Sequence, residues 1–179
     1  MAEPFSYSAW LVPARPLRDL LANVIGELGK RFGTPAFTPH ATLCSGKWEG
    51  GLDGLKQRVD TLSSALQPMT LATHGIDCGG KRTTFFYLRL DRDQAAPLLT
   101  QATRALVGSH APGIGAHLSL MYADPNAAID RKRLAHELAD RMPQQIDFDE
   151  LQLVTPVGTV KDTDQWQTQY VVRLAEAGS

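Results

Sequence analysis

Two short motifs place a histidine two residues before a hydroxyl side chain: HATL at 40–43 and HLSL at 117–120. On a β-strand, residues i and i+2 project from the same face, so each motif would present an imidazole beside a hydroxyl. Imidazole exists in neutral and charged forms near neutral pH, and it can therefore accept or donate a proton. Two such pairs facing each other across a cleft would carry both halves of an acid–base mechanism.

In-line cleavage of a phosphodiester bond needs these groups. One side chain must take a proton from the attacking water, and another must give a proton to the leaving oxygen on the opposite side. We therefore predict that His40 and His117 are catalytic. The hydroxyls of Thr42 and Ser119 can donate hydrogen bonds to the non-bridging oxygens, where negative charge builds up in the transition state. The motifs contain no carboxylate, so the predicted chemistry needs no metal ion and no other cofactor.

A cysteine follows the first motif. Strand alternation places Cys44 on the same face as His40, and we expect it to be a small apolar residue in the wall of the cleft. A zinc site made of His40, Cys44 and His117 would need a fourth ligand or a bound water, which the spacing does not supply. We therefore predict no metal at this position.

Aromatic and basic residues outside the motifs have more ordinary interpretations. Trp10 and Trp166 are expected to be packing residues rather than platforms on which a base stacks. Lys81 and Arg82 form either a hairpin turn or a basic rim that attracts phosphate, and the sequence does not decide between the two.

The apolar pattern predicts one set of elements written twice. Strand-like alternation and helical spacing of leucines give the order strand, helix, strand, helix, strand, and the same order then begins again. The predicted elements are strands at 5–12, 39–44 and 69–76 with helices at 17–32 and 52–66, then strands at 83–90, 117–122 and 146–154 with helices around 98–106 and from Asp130, and a last strand at 167–174.

The register of the two sets indicates an internal duplication. His40 and His117 lie 77 positions apart, and the helix leucines recur at nearly the same offset. We expect a single domain over residues 1–179, with repeats at about 5–78 and 83–154. The predicted fold class is α+β: a bilobal, duplicated fold with two mainly antiparallel sheets, helices packed outside them and a central cleft.

The composition fits a globular domain, since 43% of the 179 residues are hydrophobic. The formal net charge is −1, so no basic field attracts a long nucleic acid, whereas a local cluster can still bind a small phosphate. The two cysteines are too few for a disulfide framework. The N-terminus lacks a signal-peptide pattern and no apolar run is long enough to span a membrane. We expect a cytoplasmic monomer that does not bind membranes.

The two motifs, the continuation HLSLMY at 117–122 and the FTPH that ends at His40 resemble the paired signature of the two-histidine (2H) phosphoesterase superfamily, in its cyclic phosphodiesterase branch. The resemblance implies a bilobal α+β fold with the cleft between the lobes and no requirement for metal. It implies that His40 and His117 form the acid–base pair, and that Thr42, Ser119 and Tyr122 contact the phosphate.

The resemblance also implies a reaction. Members of this branch hydrolyse cyclic phosphates, typically a nucleoside 2′,3′-cyclic phosphate or ADP-ribose 1″,2″-cyclic phosphate, to monoesters. Two alternatives stay open: a phosphodiesterase that acts on RNA ends with 2′,3′-cyclic or 2′,5′ linkages, and a non-catalytic module that binds a nucleotide. The neutral charge balance favours the small substrate over a long RNA.

Overall fold

The computed structural model describes residues 4–79, 86–107, 116–124 and 127–175. Within them the elements are β1 (Phe5–Pro13), α1 (Leu17–Phe32), β2 (Ala41–Trp48), α2 (Gly51–Ser64), β3 (Met69–Asp77), β4 (Phe86–Leu90), α3 (Arg92–Leu106), β5 (His117–Met121), α4 (Arg131–Ala139), β6 (Gln145–Thr155), a 3₁₀ turn (Val160–Gln165) and β7 (Gln167–Arg173). The predicted order of strands and helices is confirmed. Lys81, Arg82 and the predicted first part of β4 lie outside the described residues.

The helices begin and end where local chemistry favours it. Most of the predicted apolar stripe of α1 is buried, with Leu21, Val24, Ile25 and Leu28 facing inward, but Leu20, also predicted to belong to it, is 40% exposed. This helix ends at Gly33, whose φ of 67° is a left-handed conformation that glycine adopts without strain. The first turn of α4 is capped by Asp130, whose carboxylate accepts a hydrogen bond of 3.0 Å from the backbone N–H of Arg133.

The seven strands pair antiparallel in the order β1-β2-β5-β4-β3-β6-β7, and β1 also pairs with β6. The α+β, antiparallel architecture predicted from the sequence is confirmed, but the two expected sheets are continuous with each other. They share β6, which pairs with β3 near its start and with β1 and β7 further along. On the other side a single residue pair, Ala41 with Leu118, joins β2 to β5.

The strand order is the same in the two halves. In one half β1 lies between β2 and β6, and in the other half β4 lies between β5 and β3. The two orders match when β1, β2 and β6 are taken as the counterparts of β4, β5 and β3. Ala41 and Leu118, which face each other at the junction, are the residues that directly follow the two motif histidines. An internal duplication would produce this arrangement, and the repeat at about 5–78 and 83–154 stays a prediction.

The helices cover one face of the sheet, and α1 and α3 each pack against a strand of the other half. α3 packs against β2, and α1 packs against β5, so each helix covers a strand of the other set. The main core lies between these helices and the sheet, and Leu11, Leu43, Leu88 and Leu118 are fully buried there. No helix in the described part of the chain is long and apolar enough to cross a membrane.

The other face of the sheet carries the residues of the candidate site. Along β1 the side chains of Tyr7, Ala9 and Leu11 enter the main core, whereas Trp10 and Val12 belong to a separate buried cluster. Trp166 packs against that second cluster. The strand alternation of β1 therefore separates the helix-covered core from the face where the motif side chains lie.

Candidate active site

The first histidine is buried at the end of the loop that leads from α1 to β2. His40 directly precedes β2, so the prediction that it lies within a strand is wrong by one residue. Only 3% of its surface is exposed. Its Nδ1 lies 2.6 Å from the carbonyl oxygen of Thr38. Because a carbonyl can only accept, Nδ1 must donate, which leaves Nε2 as the nitrogen that can act on a ligand.

Aromatic rings enclose the His40 imidazole. The indole of Trp10 stacks flat on it, with ring centroids 3.6 Å apart and an angle of 8° between the planes. The ring of Phe37 approaches it edge-on at 6.0 Å. The indole N–H of Trp10 donates to the hydroxyl of Ser8 at 2.9 Å, which fixes the indole in the plane of the stack. Trp10 is thus a packing residue, as predicted, but it packs on the candidate catalytic ring.

Burial keeps His40 neutral. The pKa of His40 is lowered from 6.5 to about 4, chiefly by desolvation and with a smaller contribution from the nearby charge of His117, against the opposing effect of the bond to Thr38. His117 therefore lies near enough to His40 for its charge to act on that ring. At pH 7 the Nε2 of His40 carries no hydrogen and can accept one.

The second motif is held by β4 and β5. His117 is the first residue of β5 and is partly exposed. The ring of Tyr87 contacts it at 5.1 Å and an angle of 60°. The register of the two strands pairs Tyr87 with Ser119, and Arg89 with His117. These four side chains therefore share one face of the sheet.

Ser119 and Tyr122 form a buried polar pair next to the histidines. Ser119 is 2% exposed and Tyr122 is 9% exposed, and their hydroxyls are hydrogen-bonded to each other. Desolvation raises the pKa of Tyr122, so its phenol stays protonated and can donate. Phe37 packs against Tyr122 at 4.8 Å and also against His40. That ring connects the two motifs.

The predicted site residues meet at the junction of the two halves. The pair Ala41–Leu118 places the motifs on adjacent strands. His40, His117 and the Ser119–Tyr122 pair are brought together there by the contacts described above. Thr42 is partly exposed and lies opposite Trp10 across β1 and β2, which puts its hydroxyl on the same face. Both histidines therefore lie on the face of the sheet that also presents the hydroxyls of Thr42 and Ser119.

The prediction for Cys44 is wrong. The β1–β2 register pairs Trp10 with Thr42 but Ala9 with Cys44, so Leu43 is an extra residue that forms a β-bulge. A bulge reverses the alternation beyond it. Cys44 consequently turns into the main core, where its Sγ lies 3.8 Å from the carbonyl of Ala102 in α3. It does not line the cleft.

Two residues near the site were not identified from the sequence. Tyr87 and Arg89 lie on the site face of β4. Tyr87 could have been found, because it follows Trp10 by 77 positions, the spacing that also separates the two histidines. Arg89 is exposed, and its guanidinium donates to the carbonyl of His74 at 2.7 Å and lies 4.0 Å from Asp77. It is a cation beside His117 that no motif signals.

A cavity of about 460 Å³ borders Trp10 on the side of Trp166. Among the described residues that line it, the one cation is Arg18, which is paired with Asp149 at 3.5 Å and with Glu150 at 3.3 Å. Two carboxylates, those of Asp19 and Asp164, also line it. The electrostatics of this cavity disfavour an anion, so phosphate is expected at the histidines and not here. Within the described ranges, no three His, Cys, Asp or Glu side chains are grouped closely enough to hold a metal ion.

No family model matches the sequence, and no curated protein matches it either. Solved structures do. E. coli LigT complexed with phosphate superposes on 98% of this chain and 100% of its own, with a TM-score of 0.61 and 14% sequence identity. The chain has the LigT fold.

Other structures with the LigT fold agree. E. coli LigT complexed with 3′-AMP gives a TM-score of 0.59 at 14% identity, covering 97% of this chain and 100% of its own. A structure described as a phosphoesterase gives 0.53 at 14% identity, with the same coverage of the two chains. The fold that the resemblance to the 2H phosphoesterases implied is therefore confirmed.

Proposed function

We propose that this protein is a cyclic phosphodiesterase of the 2H phosphoesterase superfamily. It hydrolyses a small cyclic phosphate, a nucleoside 2′,3′-cyclic phosphate or ADP-ribose 1″,2″-cyclic phosphate, to a phosphomonoester by acid–base catalysis between His40 and His117. One observation carries the proposal: the two motif histidines lie near enough to interact electrostatically, and the bond from Nδ1 of His40 to Thr38 leaves its Nε2 to act on a ligand. The LigT fold of the whole chain supports it.

His40 is the better base of the two. Its Nδ1–H is committed to the carbonyl of Thr38, so Nε2 is held ready to take a proton from the attacking water. A ring with a pKa of about 4 is a weak base. The negative charge of a bound phosphate beside it stabilises the imidazolium and raises that pKa towards neutrality. Base strength would therefore develop only when substrate is present.

His117 then serves as the acid. It is partly exposed, so water can stabilise its charged form before substrate binds. During the reaction the water oxygen forms a bond to phosphorus while its proton moves to His40. The bond from phosphorus to the leaving ribose oxygen breaks, and that oxygen takes a proton from His117. Exchange with solvent restores both histidines.

The three hydroxyls would bind the phosphate. Thr42 and Ser119 can donate to the non-bridging oxygens, where charge increases in the transition state. Tyr122 is protonated because its pKa is raised, and it can donate as well as orient Ser119. Crystals of E. coli LigT contain phosphate in one case and 3′-AMP in another, which supports a ligand of this class. The net charge of −1 favours a small substrate.

The test is a substrate panel assayed with EDTA present. The panel holds a nucleoside 2′,3′-cyclic phosphate, ADP-ribose 1″,2″-cyclic phosphate, an RNA with a cyclic end and a linear 2′,5′-linked dinucleotide. We expect turnover of one of the first two to a monoester, unaffected by EDTA. Turnover of the RNA or of the linear dinucleotide alone would replace the proposal by the RNA-end alternative. Binding of a cyclic nucleotide without turnover would identify a non-catalytic module.

A further inference from the structure

We infer that Trp10 and Tyr87 are a matched pair of positioning residues, each holding one of the two histidines in the setting that its role requires. The inference rests on the proposed function, because it assigns the aromatic rings to the acid–base pair. Neither ring was assigned a role in the chemistry by the sequence motifs.

The two rings occupy equivalent places in the sheet. Trp10 lies across the strand pair from Thr42, and Tyr87 lies across from Ser119. In both halves, the aromatic residue faces the hydroxyl of the motif on the adjacent strand and touches the histidine two residues before that hydroxyl. Directly opposed side chains on neighbouring strands lie close together. The contacts therefore follow from the register of the strands, which both halves share.

The two contacts differ in geometry. The flat stack at 3.6 Å covers one whole face of His40 with Trp10 and excludes water from it. Trp10 is itself fixed by Ser8, whose hydroxyl lies 3.0 Å from that of Ser45. By contrast, Tyr87 meets His117 at 60°, which leaves more of that ring open to solvent. The stack suits a neutral imidazole, and the inclined contact allows a charged one.

Among the described residues, the charged group that acts on the pKa of His40 is His117. The rings that pack on His40 from β1 and the preceding loop, those of Trp10 and Phe37, carry no charge. On the other side, Arg89 of β4 lies opposite His117, and Asp77 of β3 pairs with the guanidinium of Arg89. Substituting an aromatic ring changes none of these charges. A change in titration therefore reports the aromatic ring itself: the water that it excludes, its attraction for a cation and its hold on the position of the imidazole.

The experiment replaces each ring by leucine and by phenylalanine in the full chain. The titration of His40 and His117 is followed by NMR in the free enzyme, and kcat and KM are measured against pH with a nucleoside 2′,3′-cyclic phosphate. We expect Trp10→Leu to move the titration of His40 upward towards its ordinary range and to lower kcat by about 10- to 100-fold, with little change in KM. The Trp10→Phe variant, which keeps an aromatic face, should recover most of kcat.

The matched experiment on the other half should affect the other histidine. Tyr87→Leu is expected to shift the titration of His117 and leave that of His40 in place, and Tyr87→Phe should resemble the wild type. If neither leucine variant moves its own histidine, or if both change KM alone, the rings do not position the pair. Should Trp10→Leu fail to fold, Trp10→Met, which fills more of the space with a flexible side chain but has no ring, provides the same comparison with Trp10→Phe.

The NMR titration separates this inference from the proposed function. A wild-type protein that turns over no cyclic phosphate would refute the proposed reaction. The selective shifts of the two histidines would still show whether the rings control them. A protein with activity and unshifted titrations would refute the positioning role alone.

Discussion

Acid should weaken the fold through His40 in particular. The pKa of this histidine is about 4 in the folded protein against 6.5 as the reference value. Between those two values the unfolded chain binds more protons at this position than the folded chain, so stability falls as the pH falls from 6.5 towards 4. A difference of about 2.5 units corresponds to about 3 kcal/mol of unfolding free energy. That stabilisation is fully present above pH 6.5.

Two interactions act in opposite directions when His40 is protonated. The face of an indole attracts a cation by about 0.5–2 kcal/mol, which would favour the protonated ring stacked on Trp10. Desolvation of the buried ring costs more and is the largest cause of the lowered pKa. After the attraction of the indole is subtracted, the net penalty for protonation is expected to be about 1–3 kcal/mol.

Urea unfolding at a series of pH values between 4.5 and 7.5 measures the effect. The comparison is with His40→Asn, whose amide can still donate to the carbonyl of Thr38 but does not titrate. We expect the wild type to lose more stability than this variant on acidification. His136→Asn is the control, because His136 is exposed on α4 and its replacement should preserve the wild-type slope. Parallel curves for the wild type and His40→Asn would refute the assignment of a buried, neutral His40.

Three further predictions follow from the site. Replacing His40 or His117 with alanine should lower kcat by about two to four powers of ten, measured with the cyclic substrate; near-normal turnover in both variants would exclude them as acid and base. Cys44 should resist alkylation in the folded protein, because burial raises its pKa to about 11. Rapid alkylation of its thiol, measured by mass spectrometry, would contradict its burial in the main core. In a competition assay, kcat/KM should be higher for a cyclic mononucleotide than for an RNA with a cyclic end. A higher kcat/KM for the RNA, with a steep dependence on salt, would instead indicate a basic groove.

The elements and the motif residues could be predicted because both depend on local periodicity. The alternation of β1, the leucine spacing of α1 and the cap at Asp130 are short-range signals. The two histidine motifs were detectable for the same reason, because each consists of a histidine and a hydroxyl residue only two positions apart. The expectation that the two histidines lie near each other came from the predicted repeat, and the structure places their motifs on adjacent strands.

The remaining features depend on pairing between distant strands. The bulge at Leu43 is a property of the β1–β2 register and leaves no mark in the sequence of β2, so alternation put Cys44 on the wrong face. The same applies to the sharing of β6, which joins what was predicted as two sheets. The stack of Trp10 on His40 also needs the register of two strands about thirty residues apart along the chain.

The exchange of helices between the halves bears on how this protein can lose its activity. Because α3 covers β2 and α1 covers β5, neither half has a complete core of its own. The two histidines proposed as acid and base also come from different halves, one before β2 and one in β5. Partial unfolding of either half would uncover the other half and separate the proton donor from the proton acceptor. Structure and turnover should therefore disappear together in a single cooperative transition on heating or in denaturant.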